Sequence, residues 1–207
     1  MTTAIIGLGN MGKGLARRLA GKIDLILASH DGAAVAAFAA SLGDVRAASV
    51  EEAMVAADIV IIAVPYAGTL ELAASPALKG KVVVDMTNPV NAEFSGLLLG
   101  HTTSAAEQIQ QVAKDAKVVK AFNTIFAAVL DAPVATTATV PVFLAGDDAA
   151  AVDAVADLVV KAGFAADKTG PLDVARLLEP LGMLNIRFGY GMGRGTEIVP
   201  TWLSVSR

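Results

Sequence analysis

The chain has no cysteine and only two histidines, His30 and His101. It therefore holds no disulfide framework, no thiol nucleophile and no thiolate metal site, and it carries no redox-compartment signature. The histidines show no HExxH spacing, so a metal centre is not expected. Gly-x-Ser-x-Gly is absent as well, and neither histidine falls where a serine triad would need it. Charged residues make up 17% of the chain and the formal net charge is −4, which argues against a nucleic-acid footprint. No apolar run approaches the roughly 20 uncharged residues of a membrane-spanning helix. Met1-Thr2-Thr3 runs directly into an apolar strand, so no secretory leader is expected. Internal repeats and low-complexity linkers are missing too, although Ala33–Ala40 is alanine-rich in a helical way.

What remains is 207 residues, 55% of them hydrophobic, enough for a core that covers a sheet on both faces. Short Val- and Ile-rich runs alternate with helix-like stretches, the pattern of a parallel sheet wrapped by right-handed crossovers. Strands are predicted at 4–7, 24–28, 45–48, 58–64, 81–86 and 117–121. Ser49 with Glu52 and Ser104 with Glu107 have the spacing of helix-starting capping boxes. Beyond Asn123, a strand at 141–145, a helix from about Asp148 to Ala162 and a strand at 163–166 read as an extension of the sheet. Gly170-Pro171 opens an apolar helix from Leu172 to about Phe188, with interruptions expected at Pro180 and Gly182, and residues 189–195 read as a glycine-rich loop. The fold class is thus α/β, a Rossmann-type doubly wound, mainly parallel sheet with a small C-terminal α/β extension. The boundary is set at 1–122 and 123–207.

The most informative run is Ala4-Ile5-Ile6-Gly7-Leu8-Gly9-Asn10-Met11-Gly12. It is a GxGxxG turn between a strand and a helix: Gly7 for the tight turn, Gly9 for close approach to a pyrophosphate, Gly12 for helix–strand packing. The first amides of the helix favour an anion there. The second strand ends at Ser29-His30, where an NAD site would normally carry a carboxylate for the ribose. Ser29 leaves room for a 2′-phosphate and His30 can hydrogen-bond it or stack on adenine, which favours NADP(H). Asp31 is the competing reading, since a small register shift would bring it to the ribose.

Ligands of open α/β sheets sit beyond the carboxyl ends of the strands. Three loops qualify besides the glycine turn: Ala63-Val64-Pro65-Tyr66, Met86-Thr87-Asn88-Pro89-Val90-Asn91 and Ala121-Phe122-Asn123-Thr124. Asn88, Asn123 and Thr124 offer neutral groups suited to a ribose or carboxamide. Lys120 reads as a surface charge rather than a proton donor, and Tyr66 and Tyr190 as packing residues. Reducing a ketone or imine asks for a positioned acid, whereas hydride passage between two organic carriers asks chiefly for alignment and exclusion of water. The scarcity of reactive side chains favours the latter.

Taken together, the glycine run, Ala28-Ser29-His30-Asp31, Ala63-Val64-Pro65-Tyr66, Asp85-Met86-Thr87-Asn88-Pro89, Val119-Lys120-Ala121-Phe122-Asn123-Thr124 and Thr169-Gly170-Pro171-Leu172 followed by Leu178-Glu179-Pro180 resemble the F420-dependent NADP oxidoreductases and their bacterial relatives. The resemblance implies NADP(H) as cofactor and a small-molecule hydride acceptor, F420 or flavin-like, as co-substrate. It implies that Gly7, Leu8, Gly9, Asn10, Met11, Gly12, Ser29 and His30 hold the adenine and phosphate half. Ala63, Val64, Pro65, Asn88, Pro89, Phe122 and Asn123 would border the nicotinamide, with no catalytic side chain of their own. Histidine stands at position 30 where the family commonly has arginine. Arg187, Arg194 and Lys168 are the nearest cations for an anionic acceptor tail, and each also reads as ordinary surface charge. The apolar 172–188 segment implies a homodimer, and the soluble cofactor implies a cytoplasmic location. Competing readings are a non-catalytic NADP(H)-binding redox sensor and a β-hydroxyacid dehydrogenase or pyrroline-carboxylate reductase relative. The cytosolic part of a membrane ferric reductase has a similar Phe-Asn-Thr pattern.

Overall fold

A computed structural model describes residues 1–205. Eight strands form one sheet in the order β3-β2-β1-β4-β5-β6-β7-β8. They are β1 Thr2–Ile6, β2 Asp24–Ala28, β3 Arg46–Ala47, β4 Ile59–Ile62, β5 Val82–Asp85, β6 Lys117–Lys120, β7 Pro141–Gly146 and β8 Ala165–Gly170. The first six run parallel, β7 is antiparallel to β6, and β8 is parallel to β7. The six expected strands and the two-stranded extension are all present, the doubly wound architecture anticipated from the alternating pattern. β8 starts two residues later than expected because Gly163, at φ +85°, makes the turn out of the preceding helix.

Helices cover both faces. One core packs α1 (Asn10–Leu19), α2 (Gly32–Ser41), α6 (Ala127–Asp131) and α8 (Ala149–Lys161) around Ile5, Leu27, Val84 and Leu144. The other packs α3 (Val50–Ala56), α4 (Tyr66–Ala73) and α5 (Ala105–Val112) around Ala4, Ile6, Val60 and Val83. The alternation of Ala4, Ile5 and Ile6 between the two cores is the period-two signature of a strand buried on both sides. Ser49 and Glu52 close a complete capping box on α3. Ser104 caps α5 through the Glu107 amide at 3.2 Å, but the Glu107 carboxylate is shared with Arg176, which donates to both of its oxygens.

Arg18, at the C-terminal end of α1, is buried and binds four backbone carbonyls and a hydroxyl. Its Nε donates to Leu130 O at 2.6 Å and its Nη1 to Thr137 Oγ1 at 3.0 Å and Ala162 O at 3.2 Å. Nη2 donates to Val129 O and Ala132 O. The guanidinium also lies over the Phe164 ring, 4.9 Å from its centroid. One side chain thereby ties α1 to α6, to α7 (Val134–Thr137) and to the end of α8.

The apolar C-terminal helix departs from expectation. A short 3₁₀ turn at Leu172–Val174 leads into α9, Ala175–Ile186, which runs unbroken through Pro180 and Gly182 into a π-helical turn at Arg187–Gly191. Proline removes one helical hydrogen bond, yet α9 is held on both sides of it. Glu179 accepts from the Ala105 and Ala106 amides at 2.9 and 3.2 Å, and Asn185 donates to Thr124 O at 3.1 Å.

Candidate functional site

The glycine turn closes as its spacing requires. Gly7 has φ +101°, and a Cβ on it would lie 2.6 Å from Ala63 O. A Cβ on Gly12 would lie 1.9 Å from Gly7 O, so α1 can approach the turn only without a side chain there. Gly9 differs. A Cβ on it would meet nothing within 4 Å among the described residues, so no contact with them accounts for glycine at that position. The open space over Gly9 and the first amides of α1 form a cradle of the kind that accepts a phosphate. Leu8 and Met11 are half-buried and Asn10 is exposed beside it.

Ser29 and His30 follow β2 directly, Ser29 half-buried and His30 exposed. Asp31 accepts from the Ala34 amide at 3.0 Å and caps α2. The carboxylate is thus committed to its own helix. Ala63 and Val64 lie beneath the turn, against Gly7 and Gly12, and Pro65 caps α4.

Asn88 and Asn123 interlock across the ends of β5 and β6. Asn88 Nδ2 donates to Asn123 O at 2.7 Å, and Asn123 Nδ2 donates to Asn88 Oδ1 at 2.9 Å and to Leu178 O at 2.8 Å. Asn123 Oδ1 and Thr87 Oγ1 are buried with no donor among the described residues. A Cβ on Gly182 would lie 2.6 Å from Asn88 Oδ1, which explains the glycine inside α9. Pro89, next in the chain, is buried. Phe122 corrects an expectation. At φ +62° its ring turns into the core, edge-on to Phe164 at 6.5 Å, so the side chain does not border the loop mouth. Only its backbone remains there.

Two cavities adjoin at this point. One, of about 250 Å³, is lined by Asn10, Met11, Asn88, Asn123, Phe126 and Asn185 among others, so it joins the glycine turn to the Asn pair. The second, of about 770 Å³, is mostly apolar, with Phe94, Met183 and Met192 on its walls and Glu93 and Arg187 at its polar positions. Ile186 and Tyr190 line both. The Tyr190 ring stands edge-on to Phe126 at 5.5 Å. Of the three candidate cations, Arg187 reaches the larger cavity, Arg194 stacks over Phe188 at 4.5 Å, and Lys168 pairs with Asp153 on the outer edge of the sheet.

Lys120 is a second residue that sequence reasoning placed wrongly. It is not a surface charge but fully buried, at 0% exposure. Its Nζ donates to Asp85 Oδ2 at 2.8 Å, Thr87 O at 2.6 Å and Glu179 Oε1 at 2.7 Å. Asp85 Oδ1 accepts from the Thr87 amide at 2.8 Å. Burial pushes the Glu179 carboxyl above its ordinary range, against the opposing pull of Lys120. Tyr66, bonded to Gln108, is raised too, first by burial and then by the charges of Glu179 and Asp85. The available signal was positional, since Asp85 and Lys120 are register partners at the ends of adjacent strands. Among the described residues no three His, Asp or Glu side chains cluster as metal ligands. No helix among them is long and apolar enough to cross a membrane.

Comparison with known proteins places this geometry. Residues 2–89 match the family described as NADP oxidoreductase, coenzyme F420-dependent. The F420-dependent NADP reductase of Methanocaldococcus jannaschii is 32% identical over an alignment that takes in 99% of this chain and 100% of the relative. A candidate F420-dependent NADP reductase from Arthrobacter sp. FB24 superimposes with a TM-score of 0.82 at 28% identity, covering 95% of this chain and 96% of that one. The metalloreductase STEAP3 of Rattus norvegicus is 32% identical over 86% of this chain, a stretch that makes up 35% of the larger protein. With its whole length aligned to a reductase of this kind, the chain belongs to the F420-dependent NADP oxidoreductase family and is an NADP-dependent oxidoreductase.

Proposed function

We propose that the protein passes hydride between NADP(H) and a deazaflavin or flavin-like acceptor of the F420 type. The observation that carries the reading is the pair of adjoining cavities, one reaching the glycine turn, the other apolar, with Ile186 and Tyr190 between them. The larger, at about 770 Å³, lies within the range of small-molecule sites. Gly9 supports the dinucleotide half, because it leaves open space at the start of α1, where the backbone of such a turn approaches a pyrophosphate.

In this reading Gly7, Leu8, Gly9, Asn10, Met11 and Gly12 cradle the pyrophosphate, and Ser29 and His30 take the adenosine phosphate. Ala63, Val64 and Pro65 form the floor under the turn. Asn88, Pro89 and Asn123, with the backbone of Phe122, border the nicotinamide. NADPH supplies the hydride when bound, and the acceptor takes it with one proton from solvent. The chain's own groups then have three tasks: to bind, to face two rings toward each other, and to exclude water. Asn88 and Asn123 suit the second task because each fixes the other. Phe94, Met183, Ile186 and Met192 suit the third.

Exposed Leu177 and Leu184 on α9 support a homodimer through that helix. The soluble cofactor supports a cytoplasmic setting. The test is an anaerobic screen that follows NADPH absorbance with F420, FMN, FAD, ferric chelates and quinones. Rapid turnover with F420 is the expected result. NADPH binding without oxidation by any carrier would replace this reading with that of a redox sensor.

A further inference from the structure

Lys120, Asp85 and Glu179 are buried at 0%, 0% and 2% exposure and lie close to the proposed nicotinamide mouth, yet none of them lines either cavity there. An ammonium has three donors, and all three of Lys120 are committed. They go to a carboxylate on β5, a carboxylate on α9 and the carbonyl of Thr87. The same Asp85 carboxylate receives the Thr87 amide. Thr87 is therefore gripped through both its N–H and its C=O, and the next residue is Asn88.

The grip continues on the α9 side. Glu179 accepts from Lys120 and from the Ala105 and Ala106 amides, which fixes where α9 crosses the sheet end. Gly182 follows on the same helix, and its bare Cα sets how closely α9 approaches Asn88, since a Cβ there would sit 2.6 Å from Asn88 Oδ1. Buried ions are expensive to keep, and an apolar trio of equal volume would often hold a fold as well. What the ionic trio adds is direction. It fixes the carbonyl of Thr87 and the height of α9 together, and so the plane of the Asn88–Asn123 pair.

We infer that Lys120, with Asp85 and Glu179, is a positioning residue: through Thr87 and α9 it sets the Asn88–Asn123 pair that orients the nicotinamide. The inference rests on the function proposed above. It predicts that the trio governs ring alignment and leaves the grip on the pyrophosphate and adenosine, held by other residues at Gly9 and Ser29, largely alone.

The experiment compares wild type with Lys120→Met and Glu179→Gln in two ways. The first is kcat and KM for NADPH with F420 as acceptor. The second needs no acceptor: the fluorescence lifetime and anisotropy of bound NADPH, which report how firmly the reduced ring is held. For Lys120→Met, kcat is expected to fall on the order of 100-fold, the scale of an ångström-sized misplacement. The Kd for NADPH should stay within about threefold, because uniform binding is untouched. Bound-state lifetime and anisotropy should move toward those of the free coenzyme. Glu179→Gln keeps the side chain's shape but removes its charge and replaces one acceptor oxygen with a donor, and it should show the same signature more weakly. If Lys120→Met does not fold, Glu179→Gln alone decides. A folded variant with wild-type turnover and wild-type ring fluorescence would overturn the inference and leave the proposed function standing. Wild type that binds NADPH but reduces no acceptor would sink the function, while the fluorescence comparison still judges the positioning. Failure of wild type to bind NADPH would sink both.

Discussion

Arg18 and Lys120 are both cations buried in the same molecule, one at the end of α1 remote from the glycine turn, the other under the Asn88 loop. Around Arg18 stand four carbonyls and a hydroxyl, with no carboxylate in contact among the described residues. Around Lys120 stand two carboxylates and one carbonyl. A planar guanidinium can serve many neutral acceptors at once and is hard to deprotonate, although burial lowers the Arg18 pKa from its ordinary value. A compact ammonium concentrates its charge on a few partners. The first arrangement staples chain segments whose backbone groups would otherwise go unpaired. The second links an ion on each of three separate elements and so fixes their relative placement. Stability and alignment should therefore separate experimentally.

Removing Arg18 should have the largest effect. Arg18→Ala strands the carbonyls of Leu130, Ala132 and Ala162, and should cost roughly 3–5 kcal/mol in urea unfolding. NADPH affinity of the remaining folded protein should not change. An Arg18→Ala protein of wild-type stability would erase the contrast between the two cations. Asn88→Ala and Asn123→Ala come next: each should lower kcat on the order of 100-fold, no less than loss of the lysine that positions them, while dinucleotide affinity moves less, as expected of groups that orient more than they bind. Equal losses in both would place the pair in binding instead. His30→Arg should then raise the preference for NADPH over NADH severalfold, read as the ratio of kcat/KM values, because arginine pairs with phosphate through two donors. An unchanged ratio would remove His30 from the phosphate site. The smallest effect concerns pH. Hydrogen bonds from Arg176 hold the Glu107 carboxyl below the ordinary glutamate range. Such a group contributes stability above its unfolded pKa and loses it as pH falls through the folded value. Arg176→Ala should flatten the acid limb of the stability profile slightly, and an identical limb would show the half-buried pair to be inert.

Much of this was legible in the chain. The strands of the parallel region announce themselves as short Val- and Ile-rich runs because both of their faces are buried, and the glycine turn is fixed by contacts only glycine permits. Loop mouths follow from where those strands end. Other features were hidden because they depend on partners distant in sequence. Lys120 finds its carboxylates 35 and 59 residues away, and nothing local marks it as buried. Phe122 looks like a loop-mouth aromatic until its left-handed backbone turns the ring inward. Pro180 and Gly182 read as breaks in a helix. In the fold the first is overridden by tertiary anchors, and the second is required by Asn88. β8 was partly obscured by Asp167, Lys168 and Thr169, polar residues that an edge strand can carry without loss.

The antiparallel seam between β6 and β7 has a mechanical consequence. Because Val119 pairs with Gly146 and Lys120 with Ala145, the six parallel strands and the β7–β8 pair share one hydrogen-bonded slab. A clamshell motion between them would tear that seam. Ligand binding is then expected to leave the slab intact. Small-angle scattering profiles with and without NADPH should accordingly superimpose.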